Sequence, residues 1–282
     1  MIIDWDLLQR RLPNDRRQYR EGPEAPHIVI DGLLDGAWLA SSRVVDAVHQ
    51  LGHGGAVAEY NYFTTRSAAT DGPEALPPAV RALIDELHSP RFISYLEELT
   101  GFRGLVADGA LTNGGVHFMK PGGYLRLHRD EHIHPELTTL RRRLNLLLYL
   151  NEGWREDYGG HLELWSPDGA RSLKRILPTC NRCVITSIEE NVHGVPGGVR
   201  CPPGDLRKTL ILWYYTNEGR AVDFEPVVFV SGPDDGPVQR LLIGAESQLF
   251  GLYHRVRRRY RTANRVALAV MRVIRYGKVP RG

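Results

Sequence analysis

Through the middle of the chain apolar and polar positions alternate in short runs, whereas toward both ends apolar residues recur three or four apart. After Gly101, β-rich runs bounded by Gly, Pro, Asn and Asp fall at 103–107, 115–119, 123–130, 144–150, 161–165, 172–177, 182–188 and 208–216. No helix separates these strands, which predicts a sandwich or barrel rather than a parallel sheet. Ahead of them, His27-Ile28-Val29-Ile30 reads as a strand and Trp38 to Leu51 as a helix. A second helical region runs from Pro78 to Leu99 and breaks at Ser89-Pro90, because proline disfavours the α conformation in the residue before it. Behind the strands, residues 221–246 are rich in Pro, Gly and Asp and predict a linker, clearest at 231–237. Leu249, Leu252, Val256, Tyr260, Ala263, Ala267, Val270 and Ile274 then predict a C-terminal helix whose apolar stripe faces the body. The expected organisation is α+β with a mainly β core. Strand and helices over 1–102 buttress a core over 103–220, followed by a loop and basic helix over 221–282, all in one structural domain.

The chain has 282 residues, 42% apolar and 24% charged, which is a globular composition and excludes collagen, coiled coil and general disorder. No apolar window is long enough for a membrane span, and Met1-Ile2-Ile3-Asp4-Trp5-Asp6 does not resemble a secretory signal. Cys180, Cys183 and Cys201 are too few for a disulfide framework, which suits a reducing compartment, so a cytoplasmic location is expected. The net charge of +3 conceals an asymmetry: residues 255–282 hold ten Lys/Arg and no acid, leaving 26 basic against 33 acidic side chains elsewhere. Such a tail suits nucleic acid, an anionic membrane surface or an acidic protein, or is simply a solvated face. Aromatic residues are not interleaved with it apart from Tyr253, Tyr260 and Tyr276, which disfavours nucleic acid.

The chemistry concentrates in the β region. In an extended strand, side chains two apart share a face, so His128 and Asp130 project together. Asn191-Val192-His193-Gly194-Val195-Pro196 follows an apolar strand, where a turn holds a third ligand near a sheet end. Two histidines and one carboxylate leave adjacent positions open on a ferrous ion, unlike the closed sets of structural zinc. Arg207, Thr209, Ile211 and Trp213 share one face of the last long strand. Turned inward, the Arg207 guanidinium needs an anion, and a carboxylate gripped in bidentate fashion, with Thr209 donating a further bond, fits it.

Taken in order, His128-x-Asp130, Asn145 to Asn151, Gly159 to Trp165, His193-Gly194-Val195-Pro196, Cys201-Pro202-Pro203-Gly204 and Arg207 with Trp213-Tyr214 resemble the Fe(II)- and 2-oxoglutarate-dependent dioxygenases of the prolyl 4-hydroxylase-like group, bacterial branch. The resemblance covers about residues 103–216. It implies a double-stranded β-helix, a cupin-like jelly roll, with Fe(II) on His128, Asp130 and His193. It further implies 2-oxoglutarate held by Arg207 with Thr209 and Tyr149, dioxygen as oxidant, and ascorbate as an optional reductant. The activity implied is hydroxylation, or desaturation, of an unactivated C–H in a small molecule or an amino-acid- or prolyl-like residue, with release of succinate and CO2. Asp130 separates the chain from halogenating relatives, where a small residue makes room for chloride.

Lys120, rather than a tyrosine, precedes Pro121-Gly122-Gly123, which weakens a strictly prolyl specificity. On a regular strand Tyr124 and Arg126 share the face of His128, so both are candidate substrate contacts with Trp213, and Arg126 suits an acidic group on the substrate. Loops 64–76 and 131–142 are the expected seats of specificity. Arg141-Arg142-Arg143 reads as a solvated loop end that could help attract an anionic substrate. His117 and His161 read as core or rim histidines, His132 and His134 as lying past the strand, and Cys180-Asn181-Arg182-Cys183 as a chance spacing. The alternative to an enzyme is a metal-binding jelly-roll sensor that recruits an anionic partner through the basic helix. Oligomeric state is open.

Overall fold

The computed structural model describes residues 1–21, 24–54, 57–70, 72–189, 191–222 and 226–259, with side chains omitted at 250 and 253–259. The N-terminal part comprises α1 (Trp5–Glu21), β1 (His27–Asp31), α2 (Gly36–Ser42), α3 (Val44–His53), β2 (Val57–Asn61), β3 (Thr65–Thr70), α4 (Pro78–Leu87) and α5 (Pro90–Thr100). The strand-rich part follows as β4 (Leu105–Ala107), β5 (Gly115–Met119), β6 (Tyr124–Arg129), β7 (Leu140–Tyr149), β8 (Leu162–Trp165), β9 (Ser172–Ile176) and β10 (Arg182–Ser187). It continues through β11 (Val192–Val195), β12 (Arg207–Asn217) and β13 (Val228–Phe229), and α6 (Pro237–Arg259) comes last.

The strands run in the order β1-β10-β7-β12-β5-β3-β6-β11-β8-β9, and neighbours pair antiparallel throughout. β3 pairs with β5 through Ala68 and Ala69 and with β6 through Thr65 and Arg66, so one strand carries the sheet around its corner. Period-two alternation then gives the large layer two apolar faces. On the outer face Leu144, Leu146, Leu148, Val116 and Leu210 pack against helical Leu8, Val48, Leu83, Phe92 and Leu96. On the inner face Leu147, Tyr149 and Val184 meet Leu162, Leu164 and Ile176 of β8 and β9. The result is the expected jelly roll, buttressed by helices along its large layer.

Local chemistry explains the helix ends. Ser89 Oγ accepts the N–H of Phe92 and Pro90 opens α5, while Gly101 ends it at φ 89°. The expected helix 38–51 is divided in two, because Arg43 adopts a left-handed φ of 52° between α2 and α3. α1 was not predicted: Pro13 lies inside it, and its mostly polar sequence buries only Trp5, Leu8, Asp15 and Tyr19.

Four other expectations change. Residues 64–76 contain β3, whose pairing with β2, β5 and β6 makes it part of the frame rather than a variable loop. β7 begins at Leu140, so Arg141-Arg142-Arg143 lies within a strand, and Arg142 is 2% exposed. α6 begins at Pro237, inside the expected linker. Leu249 and Leu252 are 50% and 53% exposed, so that part of the stripe faces away from the body. Residues 260–282, which carry the rest of the expected helix, lie outside those described. No helix among the described residues is long and apolar enough to cross a membrane.

Candidate metal centre and co-substrate pocket

His128 lies near the end of β6 and Asp130 just beyond it. His193 lies within β11 rather than in a turn, opposite His128 on one side and Leu164 of β8 on the other. One ligand atom from each of His128, Asp130 and His193 lies within 4.8 Å of the others, and all three residues are buried. His128 Nδ1 donates to the Arg126 carbonyl at 2.9 Å, and His193 Nδ1 to the Asn191 carbonyl at 3.4 Å. Both rings are thereby oriented with Nε2 toward Asp130, at 3.3 Å from Oδ1 for His128 and 3.4 Å from Oδ2 for His193.

The electrostatics suit a cation. Burial pushes His193 down to about 4 against the pull of Asp130, which keeps a lone pair available. Burial also opposes charge on His128, but the bond to Asp130, the Asp130 charge and the backbone bonds to Arg126 and His193 together outweigh this and raise it. Burial likewise opposes ionisation of Asp130, yet the two imidazoles hold its carboxyl below the usual range. Asp130 Oδ2 is buried with no hydrogen-bond donor. An orphaned carboxylate oxygen between two Nε2 atoms fits a divalent metal, and two imidazoles with one carboxylate are a ferrous set.

Deeper in the roll, Arg207 is 4% exposed. Its Nε donates to the Gly160 carbonyl at 2.7 Å and its Nη1 to Thr209 Oγ1 at 2.8 Å. Among the described residues no carboxylate forms an ion pair with it, and burial lowers its pKa. Its Cζ lies 5.1 Å from the Tyr149 ring centre, and the Tyr149 hydroxyl is buried without a partner. Burial pushes that phenol up to about 12, against the Arg207 charge, so it remains a donor. Gly160 permits the approach: at φ +69°, a Cβ there would stand 3.0 Å from Arg207 Cδ. His117, Thr209 and Tyr149 lie in register across β5, β12 and β7.

One cavity joins the two sets, lined by His128, Asp130 and His193, then Leu147, Ile211 and Arg207. It adjoins an open vestibule that shares His128 and Asp130 and is lined by Tyr60 and Thr65 of the β2–β3 hairpin, the 111–114 loop, and Val227 and Phe229. Among the described residues, no Lys or Arg lines the vestibule, and Glu136 does. Trp213 lines the inner cavity, held by its Nε1 bond to the Asn113 carbonyl at 3.1 Å.

Tyr124 and Arg126 do not face it. His193 pairs with His128 while Val195 pairs with Leu125, so β6 carries one extra residue across that interval. A bulge reverses the alternation, and Leu125 takes the cavity position. Arg126 instead pairs with Asp235 at 2.6 Å and lies over Phe63, while Tyr124 donates to the carbonyls of Tyr62 and Phe63. His134 faces Asp108 at 3.3 Å, and His161 faces Glu156 at 2.9 Å. Cys183 is in the core, and all three cysteines are free.

Sequence reasoning missed a buried polar wall. Arg142 pairs with Glu131 at 3.2 Å and stacks 4.1 Å from Trp213, and Asn113 donates to the same Glu131 oxygen. Asn145 also lines the cavity, with its Oδ1 buried and unpartnered. Period two did place Asn145 on the face of Leu147 and Tyr149; that was the available signal.

A jelly roll enclosing two histidines and a carboxylate, with a buried cation behind them, is the frame of a metal-dependent oxygenase. Residues 114–215, β5 to β12, match the family model of the 2OG-Fe(II) oxygenase superfamily. With the His–Asp–His cluster, this match marks an enzyme of the dioxygenase class, whose cofactors are Fe(II), 2-oxoglutarate and dioxygen. Among solved structures, the chain is similar to a prolyl 4-hydroxylase from Phytophthora capsici, with TM-score 0.54 and 17% identity over 99% of this chain and 97% of that one. It is also similar to an oxidoreductase of the 2OG-Fe(II) oxygenase family from Burkholderia pseudomallei, with TM-score 0.51 and 14% identity over 75% and 94%. At these identities the likeness is one of fold. No curated protein matches the chain.

Proposed function

We propose that the enzyme hydroxylates a C–H bond of a neutral small molecule or an amino-acid- or prolyl-like residue that enters through the vestibule. Fe(II) would be held by His128, Asp130 and His193, and 2-oxoglutarate by Arg207, Thr209 and Tyr149. The observation that carries this reading is the buried Arg207 guanidinium, without an acidic partner among the described residues, in the same cavity as the His–Asp–His cluster. A buried cation of this kind calls for an anion that arrives with the reaction.

When bound, Fe(II) and 2-oxoglutarate supply dioxygen activation coupled to decarboxylation, one oxygen atom passing to the substrate and one to succinate. The chain's own residues bind and orient. Arg207 grips the distal carboxylate, with Thr209 and the Tyr149 phenol as further donors. Leu147, Leu162 and Ile211 exclude water between the two sets. Trp213, Asn113 and Asn145 form the substrate side. Because Arg126 is engaged by Asp235 and, among the described residues, Glu136 but no Lys or Arg lines the vestibule, a neutral substrate fits better than an acidic one. Three free cysteines support a reducing compartment such as the cytoplasm.

The test is calorimetric titration of 2-oxoglutarate into Co(II)-loaded protein, followed by succinate and oxygen stoichiometry on a panel of neutral and acidic amides. Binding lost in Arg207→Met and turnover confined to neutral amides are expected. Undiminished binding in Arg207→Met would remove the anchor from the reading.

A further inference from the structure

The outward face of α6 is apolar where surface helix faces are ordinarily polar. Val238, Leu241, Leu242, Leu249 and Leu252 are 70%, 73%, 44%, 50% and 53% exposed, and Ala245 is exposed between them. At 3.6 residues per turn these six positions occupy one sector of about 100°. The other side of the helix holds it to the body: Ile243 is 1% exposed, and Ser247 Oγ accepts the N–H of Phe229 on β13. The exposed stripe is therefore not the packing side. In sequence, Val256, Tyr260, Ala263, Ala267, Val270 and Ile274 continue its spacing, and residues 255–282 add ten Lys/Arg with no acid.

We propose that this face of α6, with the basic segment 255–282, docks the enzyme peripherally on a lipid surface rich in anionic headgroups. Both halves of the chemistry are required for this. Aliphatic side chains gain by leaving water for the acyl boundary, and Lys/Arg gain from the negative surface potential. A second copy of the chain fits less well, because it would bring ten further like charges to the contact. Nucleic acid would use the charges but leave the leucines in water, with few aromatic platforms to replace them. Val227 and Phe229, on the segment bonded to the opposite side of α6, line the vestibule, so docking leaves the substrate entrance on the side of α6 away from the lipid.

The inference stands apart from the assignment of Arg207 and the metal ligands. Its test is co-sedimentation of the full chain with phosphatidylcholine vesicles, with and without about 30% phosphatidylserine. Binding to the anionic vesicles should exceed binding to neutral ones by at least about tenfold and fall as salt rises. Leu241→Glu with Leu249→Glu should reduce it at least about tenfold while leaving the melting temperature and 2-oxoglutarate binding unchanged. Arg255→Glu with Arg258→Glu should reduce it without the leucine changes. Equal affinity for both vesicle types, or for neither, overturns the proposal. So does a lipid-free dimer that Leu241→Glu with Leu249→Glu dissociates, or RNA binding that those two changes leave intact.

Discussion

His193 stands directly opposite His128 in the β11–β6 pair, their ring centres 4.5 Å apart at 49°. Residues 65 positions apart thus become neighbours through strand pairing, and Asp130, two residues on, closes the set. Because both imidazoles sit on paired strands, their separation is a property of the sheet, not of a loop.

That placement predicts a metal-dependent stability. Adding Fe(II) or Co(II) to metal-free protein at about 100 times its Kd should stabilise the fold by about 2.7 kcal/mol. Asp130→Ala should abolish the increment, measured against its own metal-free form because the change also removes the bond to His128. Scanning calorimetry measures both. A metal-induced shift retained in Asp130→Ala would exclude Asp130 as a ligand.

Arg207 should act on the co-substrate rather than the fold. Arg207→Met is expected to raise the KM for 2-oxoglutarate about 10- to 150-fold, the worth of charge-assisted hydrogen bonds, while the melting temperature holds or rises. Steady-state kinetics with varied 2-oxoglutarate decide it. An unchanged KM would show that the guanidinium serves packing alone.

The Arg126–Asp235 pair should be structural. At 2.6 Å, with side chains 20% and 14% exposed, it ties β6 to the segment leading into α6. Arg126→Ala and Asp235→Ala should each cost about 1–3 kcal/mol. Together they should cost less than the sum, with kcat/KM for the substrate within about twofold of the parent. A selective loss of affinity for acidic substrates in Arg126→Ala would return that residue to the site.

Asp108 should confer an acid-sensitive part of the stability. Burial opposes its ionisation, but His134 and the N–H groups of Thr112 and Ala110 outweigh this and hold its carboxyl well below the usual range. Its folded pKa is therefore below its unfolded one. The contribution is complete above the ordinary carboxylate pKa and disappears as pH falls through the depressed value. Asp108→Asn should cost about 1–2 kcal/mol at neutral pH and flatten the acid side of a denaturation-versus-pH curve. Unchanged acid sensitivity would assign it to other carboxylates. The same variant should loosen the 110–114 segment that lines the vestibule, read by hydrogen exchange.

Much of this protein is local enough to be written in the chain. Period two marked the central strands, Ser89-Pro90 marked the break between α4 and α5, and two-residue spacing put His128 with Asp130 and Arg207 with Thr209. Alternation depends only on the pleat, so it survives without knowledge of neighbours. What pairing and packing decide could not be read this way. The bulge that turns Arg126 away exists only because β6 must match β11, and β3 becomes a strand because β2, β5 and β6 claim its backbone. The buried Glu131–Arg142 pair arises because β7 extends inward, where an isolated triple arginine reads as solvated. Likewise, periodicity defines a stripe on α6, but which side meets the body is settled by Ile243 and Ser247, and a repeat of 3.6 residues carries no information on what lies opposite.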